Sequence, residues 1–175
     1  AQPASPTGLA AHWSCPPLLG LKSVGVLGDV LARTPPPWRM DWTRLNMIEP
    51  AALPALEKLF HNWASRRIEL RLTAGDHLDQ LLADATPSGD RAVQVQWWHS
   101  RMALLRVMAR MDEFEMAALN YCVTYEVSPP SWEDPLCTCQ SVNPGGDERD
   151  DQTAIVSSLG GLGTVADDRG LTDFR

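Results

Sequence analysis

Cys137 and Cys139, separated only by Thr138, are the pair in this sequence whose type and spacing most suggest a metal site. Structural zinc needs four thiolate or imidazole ligands at workable spacing, and no matching Cys/His pair lies near them. The expectation is two free thiols in a loop, open to oxidation or to cross-linking a dimer. Cys122, between Tyr121 and Val123, reads as a small buried hydrophobe rather than a nucleophile. His12, His61, His77 and His99 are dispersed and form no HxxxH or HxH pair. His61 is expected on the outer face of a helix, and His99, beside Trp97-Trp98, as a packing group. Asp76, Asp79 and Asp84 are spaced like helix caps and a solvated face. Neither a GxSxG elbow, a P-loop nor a catalytic triad is present. Gly161 to Ala166 fits the pattern GxGxxA, but dinucleotide binding needs a following helix and second strand, and too few residues follow. The reading is a protein without catalytic residues, metal or cofactor.

Composition narrows the partners. Of 175 residues 44% are hydrophobic and 21% charged, a globular balance, and no apolar run approaches the length that crosses a bilayer. A formal charge of -7 opposes a nucleic-acid surface, and the one dense basic spot, Arg66-Arg67 with Arg71, is too short to track a phosphate backbone. Lysine occurs only at Lys22 and Lys58 among many arginines, which reads as a bacterial chain from a GC-rich genome. Few cysteines and no export signal at the start point to a reducing cytoplasm.

The elements that must position these groups follow from periodicity. Residues 1–20, rich in Pro, Ser, Thr and Gly, form an arm with room for one edge strand. Leu21, Val24, Leu27, Val30 and Leu31 mark a helix that the triple proline Pro35 to Pro37 ends. Trp38 to Thr43 alternates as a half-buried strand should. After a turn through Asn46 to Glu49, Pro50 opens a helix whose stripe is Leu53, Leu56, Leu59, Phe60 and Trp63. Arg67 to Leu72 is the next strand, and Asp76 caps a helix carrying Leu78, Leu81, Leu82 and Ala85. Strand and helix alternate here, which predicts helices layered on a sheet with parallel neighbours. Val95 to Arg110 and Glu113 to Tyr125 form a helical hairpin, with Asp112 and Glu115 as a capping-box signal and Trp132 folding back onto it. Of the adjacent Trp97 and Trp98, one can enter a core while the other bridges the hairpin to the domain or to a partner. From Cys137 onward a mobile tail is expected, ordered at most around Thr153 to Val156.

The stretch from Met40 to Leu53 resembles the signature of STAS domains, the family of bacterial anti-sigma factor antagonists and their relatives. Asp41 falls on the first acidic position, Thr43 on the small hydroxyl, Ile48 on the buried aliphatic, Glu49 on the second acidic position, and Ala51-Ala52 on the small pair opening the helix. The order of the following elements also agrees, over residues 13 to 86. In phosphorylatable members a serine stands at the start of this helix, where Pro50 stands here, so the resemblance implies a variant without the usual phospho-switch. A second departure is the short, proline-bearing stretch from which the leading strands must come.

The expected fold is therefore α/β: a small STAS-like sheet with helices packed on it, followed by an α-helical hairpin. Its boundaries are an arm at 1–20, an α/β domain at 21–88, the hairpin at 89–135 and a tail at 136–175. The leading functional expectation is a non-catalytic protein–protein interaction module docking through Asn46, Met47, Glu49, Pro50, Ala51 and Leu53. Its partner would be a regulatory protein, a sister STAS-like domain or a second copy, not nucleic acid or membrane. Two rivals are a structural subunit of an oligomeric assembly, and a ligand-binding protein or enzyme with a pocket between sheet and hairpin.

Overall fold

Apolar residues in this chain either alternate or recur every three to four positions, and proline or glycine separates the runs. The computed structural model describes residues 10–142. In chain order these form β1 (Trp13–Ser14), β2 (Leu18–Leu19), α1 (Leu21–Ala32), β3 (Trp38–Asp41), β4 (Met47–Ile48), a 3-10 turn (Pro50–Ala52), α2 (Leu53–Ala64), β5 (Glu69–Thr73), α3 (Gly75–Asp84), α4 (Val95–Val107), α5 (Met111–Tyr125) and β6 (Thr138–Val142). The fold is mixed α/β, as the alternation predicts. A four-stranded sheet runs β1-β3-β5-β6, and β2 pairs with β4 in a separate two-stranded sheet. β3 lies parallel to β5 in the register Trp38↔Leu70 and Met40↔Leu72, and β1 lies parallel to β3.

The sheet is two-faced. Trp38, Met40, Leu70 and Leu72 are buried, whereas Arg39, Asp41, Glu69, Arg71 and Thr73 remain half-exposed. One cluster takes in Leu27 and Leu31 of α1, Leu53, Leu56, Phe60 and Trp63 of α2, and Leu78 and Leu82 of α3. Ala103, Leu104, Val107 and Met108 join the same cluster, so the helical hairpin packs into the core of the sheet. α4 is apolar on both sides: Trp98, Met102 and Leu105 form a second cluster with Phe114, Ala117 and Ala118 of α5. Trp98 enters that hairpin cluster while Trp97 packs against the main one, the division expected of adjacent helical residues. Trp132 returns edge-on to Phe114, ring centres 5.2 Å apart.

Several local expectations need correction. Asn46 to Glu49 is not a simple turn, because Met47–Ile48 pairs with Leu18–Leu19; two-residue strands are too short to show a period. Pro50 opens a 3-10 turn, and α2 begins only at Leu53. Neither Asp76 nor Asp112 caps a helix with its side chain. Asp76 instead pairs with Arg110, and Asp112 sits one position inside α5, where its charge favours the helix dipole. The tail expectation fails at 138–142, which form β6: Leu136 N–H donates to the Ala64 carbonyl (2.7 Å) and Thr138 N–H to Ile68 (2.9 Å). Cys137, immediately before that strand, is buried within the main core. Thr153 to Val156 and the GxGxxA stretch lie outside the described residues.

Asp79 is not part of a solvated face. It is buried, and the Arg101 guanidinium donates to it at 3.0 Å, tying α3 to α4. Removing one partner leaves a buried charge alone. Asp79→Leu or Arg101→Leu singly is expected to cost about 3 kcal/mol in urea denaturation, and the double variant much less than the sum, since two apolar side chains strand no charge.

Candidate functional site

The segment with the family-like signature is built outward from Asp41. Its Oδ1 accepts from the Thr43 N–H (2.9 Å) and hydroxyl (2.6 Å), turning the chain at the end of β3. Trp42 and Leu45 then enter the core, and the His77 ring on α3 bonds to the Leu45 carbonyl at 2.6 Å. The N-terminal arm holds the next stretch: Asn46 and Met47 N–H both donate to the Pro17 carbonyl (2.7 and 3.0 Å), and Glu49 N–H to Leu19 (2.9 Å). β2 and β4 thus face each other with Leu18 opposite Met47 and Leu19 opposite Ile48. Leu19 and Ile48 point into the core; Leu18 and Met47 point out, 46% and 62% exposed.

Four of the six expected docking residues, Asn46, Met47, Pro50 and Ala51, are exposed. Leu53 is fully buried and belongs to the inner stripe of α2, so it is removed from the surface. Glu49 is half-buried and turned toward the start of α1: a Cβ built on Gly20, the residue capping α1, would stand 2.5 Å from Glu49 Oε1. The first turn of α1 has no acidic residue of its own, and the Glu49 carboxylate supplies negative charge where the helix dipole favours it. Leu18 and Leu21, both exposed, were not among the expected docking residues: residues 1–20 read as an arm with room for one edge strand, and Leu21 as part of the stripe of α1. Two adjacent leucines carry no alternation that would mark a strand, so β2 shows itself only through its pairing with β4.

A second place gathers polar groups. A cleft of about 400 Å³ opens between α2 and the hairpin, rather than between sheet and hairpin, and is lined in part by Glu57, His61, His99, Arg106 and Glu133. Each of these groups has a protein partner: Glu57 meets His61 (3.0 Å) and Gln96, His99 meets the Tyr121 hydroxyl (3.1 Å), and Arg106 donates to the Glu133 carbonyl (3.0 Å). Among the described residues, no three His, Cys, Asp or Glu side chains converge as a metal site. The basic spot is divided, because the Arg66 guanidinium lies 5.3 Å over the Trp38 ring and Arg71 pairs with Glu69 at 2.8 Å.

The cysteines differ from expectation in exposure. All four are free thiols. Cys137 is buried with its thiol against the Val107 carbonyl, and Cys139 is half-buried at the core's edge, so the pair is not in an open loop. Cys122 is half-buried rather than buried. Burial pushes the Cys139 thiol up to about 12, with the neighbouring Cys137 adding to it, and burial followed by the Asp41 charge does the same to Cys15. Burial also raises Cys137.

Compared with protein-family models, curated proteins and solved structures, the chain matches none. The fold and site define it as a mixed α/β protein whose two-strand sheet turns two large apolar side chains, Leu18 and Met47, to solvent.

Thiolate is the reactive form, and a shift from 9.0 to about 12 leaves about a thousandfold less of it near neutral pH. At pH 8 the native protein is expected to yield only Cys122 promptly to a chromogenic disulfide reagent, and all four thiols after unfolding. The raised folded values make these thiols a stabilising element below about pH 9 that is lost as pH climbs toward 12. An alkaline denaturation midpoint that moves upward in Cys15→Ala checks the sign.

Proposed function

We propose that this chain is a non-catalytic protein-docking module of the STAS type, acting in the bacterial cytoplasm. The docking surface consists of Asn46, Met47, Pro50 and Ala51 together with Leu18 and Leu21. The observation that carries the reading is the in-register pair Leu18 and Met47, two large apolar side chains standing side by side in solvent. Contiguous exposed apolar groups on a folded surface mark contact sites, and a few such anchors dominate binding energy. Met47 lies on the one segment that resembles a family of docking domains, and Leu18 pairs with it from β2, which supports the same conclusion.

Pro50 opens the 3-10 turn with neither hydroxyl nor N–H, so docking here does not depend on a phosphate at the helix start. Glu49 serves the geometry of α1 more than the partner, which moves the informative substitutions to Met47 and Leu18. The partner is a regulatory protein, a sister domain of the same type or a second copy.

Met47→Lys and Leu18→Lys are expected to change stability by less than about 0.5 kcal/mol, because both side chains are exposed, and to weaken partner capture at least about tenfold. Leu53→Ala serves as the contrast, expected to cost about 2–5 kcal/mol of stability through the core. Equal recovery of the same partner by wild type and both lysine variants would sink the reading.

A further inference from the structure

Helix α5 has two apolar faces, and the hairpin uses only one. Phe114, Ala117 and Ala118 pack on α4, with Tyr121 and Tyr125 against the same cluster. On the other side Met116, Leu119 and Val123 are 60%, 53% and 65% exposed. Their spacing of three and then four residues aligns them in one stripe about 10 Å long. A helix whose work ends at the hairpin would carry polar side chains there.

The stripe continues into a groove. The segment returning after α5 stands off from the helix and leaves a space of about 500 Å³, lined by Met111, Glu115, Ala118, Leu119, Pro130 and Trp132 among others. Leu119 belongs to both groove and stripe, so a single ligand can cover the stripe and insert one large side chain beside Trp132.

Charge selects the ligand. Between Met111 and Val127 the chain carries Asp112, Glu113, Glu115 and Glu126 and no lysine or arginine. Arg110 approaches Glu113 (3.7 Å) and Arg91 approaches Glu126 (3.0 Å). Among the described residues Asp112 and Glu115, both exposed, have no cationic partner. A second copy laid antiparallel on the stripe would bring another all-acidic helix against these carboxylates, which like-charge repulsion opposes. An anionic membrane surface is repelled for the same reason.

We propose that the outer face of α5 and its groove form a docking site for a basic amphipathic helix of another protein. That helix presents apolar anchors at i, i+3 or i+4, and i+7 to Met116, Leu119 and Val123, one of them large enough to enter the groove, and lysine or arginine to Asp112 and Glu115. This site is independent of the Met47 surface, and the chain thereby has two faces with which to bridge two proteins.

The test is photo-cross-linking in the cells that make the full chain, with benzoylphenylalanine placed at Leu119, or at the exposed Val26 of α1 as control. Mass spectrometry reads the sequence of the attached peptide. The expected result is one segment of another protein, net positive and with apolar residues at helical spacing, obtained from Leu119 and not from Val26. Its yield should fall about tenfold in Asp112→Lys/Glu115→Lys and stay unchanged in Met47→Lys. Attachment to this chain's own peptides, to lipid or to an acidic segment overturns the proposal. So does the absence of an adduct above the Val26 control, or a yield indifferent to charge reversal. Because Met47→Lys acts only on the other surface, failure of one reading leaves the other standing.

Discussion

The sheet has one apolar face, and that asymmetry dictates the layering of the described residues. Trp38, Met40, Leu70 and Leu72 leave water together because β3 and β5 are parallel and in register. Burying four such side chains contributes on the order of 1.5–3 kcal/mol each relative to leaving them exposed. Parallel strands cannot be joined by a tight turn, so the chain crosses from β1 to β3 through α1 and from β3 to β5 through α2. Each crossing delivers an amphipathic helix whose inner stripe joins the same core. The other face carries Arg39, Asp41, Arg71 and Thr73, each half-buried.

α4 extends this logic by one layer. It lies on α2, close enough for the buried Ser100 hydroxyl to reach the Leu53 carbonyl at 3.5 Å, and a helix in that position must be apolar on both sides. Its two faces supply one cluster shared with the sheet and one shared with α5. The mostly buried Arg101 on its flank then requires a charge partner, which Asp79 provides from α3. Apolar layering sets the arrangement and the ion pair fixes how α3 and α4 meet.

Features with a local cause were legible in the sequence. The period-2 alternation at Trp38 to Asp41 and the stripe Leu53, Leu56, Phe60 and Trp63 each declare an element by themselves, and proline marks their limits. What was not legible depends on distant partners. Asp79 looks like one of several helix carboxylates until Arg101 is placed beside it. Thr138–Val142 has little apolar content, and its strand character comes from the edge that β5 offers. In the candidate site, Met47 was visible from its motif. Leu53 appeared both as a docking residue and in the α2 stripe, and the stripe prevailed because burying leucine outweighs anything an exposed position gains. Leu18 became visible only when Pro17 and Leu19 were seen to hold β4.

β6 is contributed by residues beyond the hairpin yet lies beside β5, which precedes it. On the ribosome the sheet therefore cannot close when β5 emerges. At synthesis rates of about 5–20 residues per second, several seconds pass before Thr138–Val142 can bind. During that interval β5 has a bare edge, and the hairpin that forms meanwhile occupies the time as well as the space. Among the described residues, the order of translation thus makes a strand that looks peripheral the last one added to the sheet.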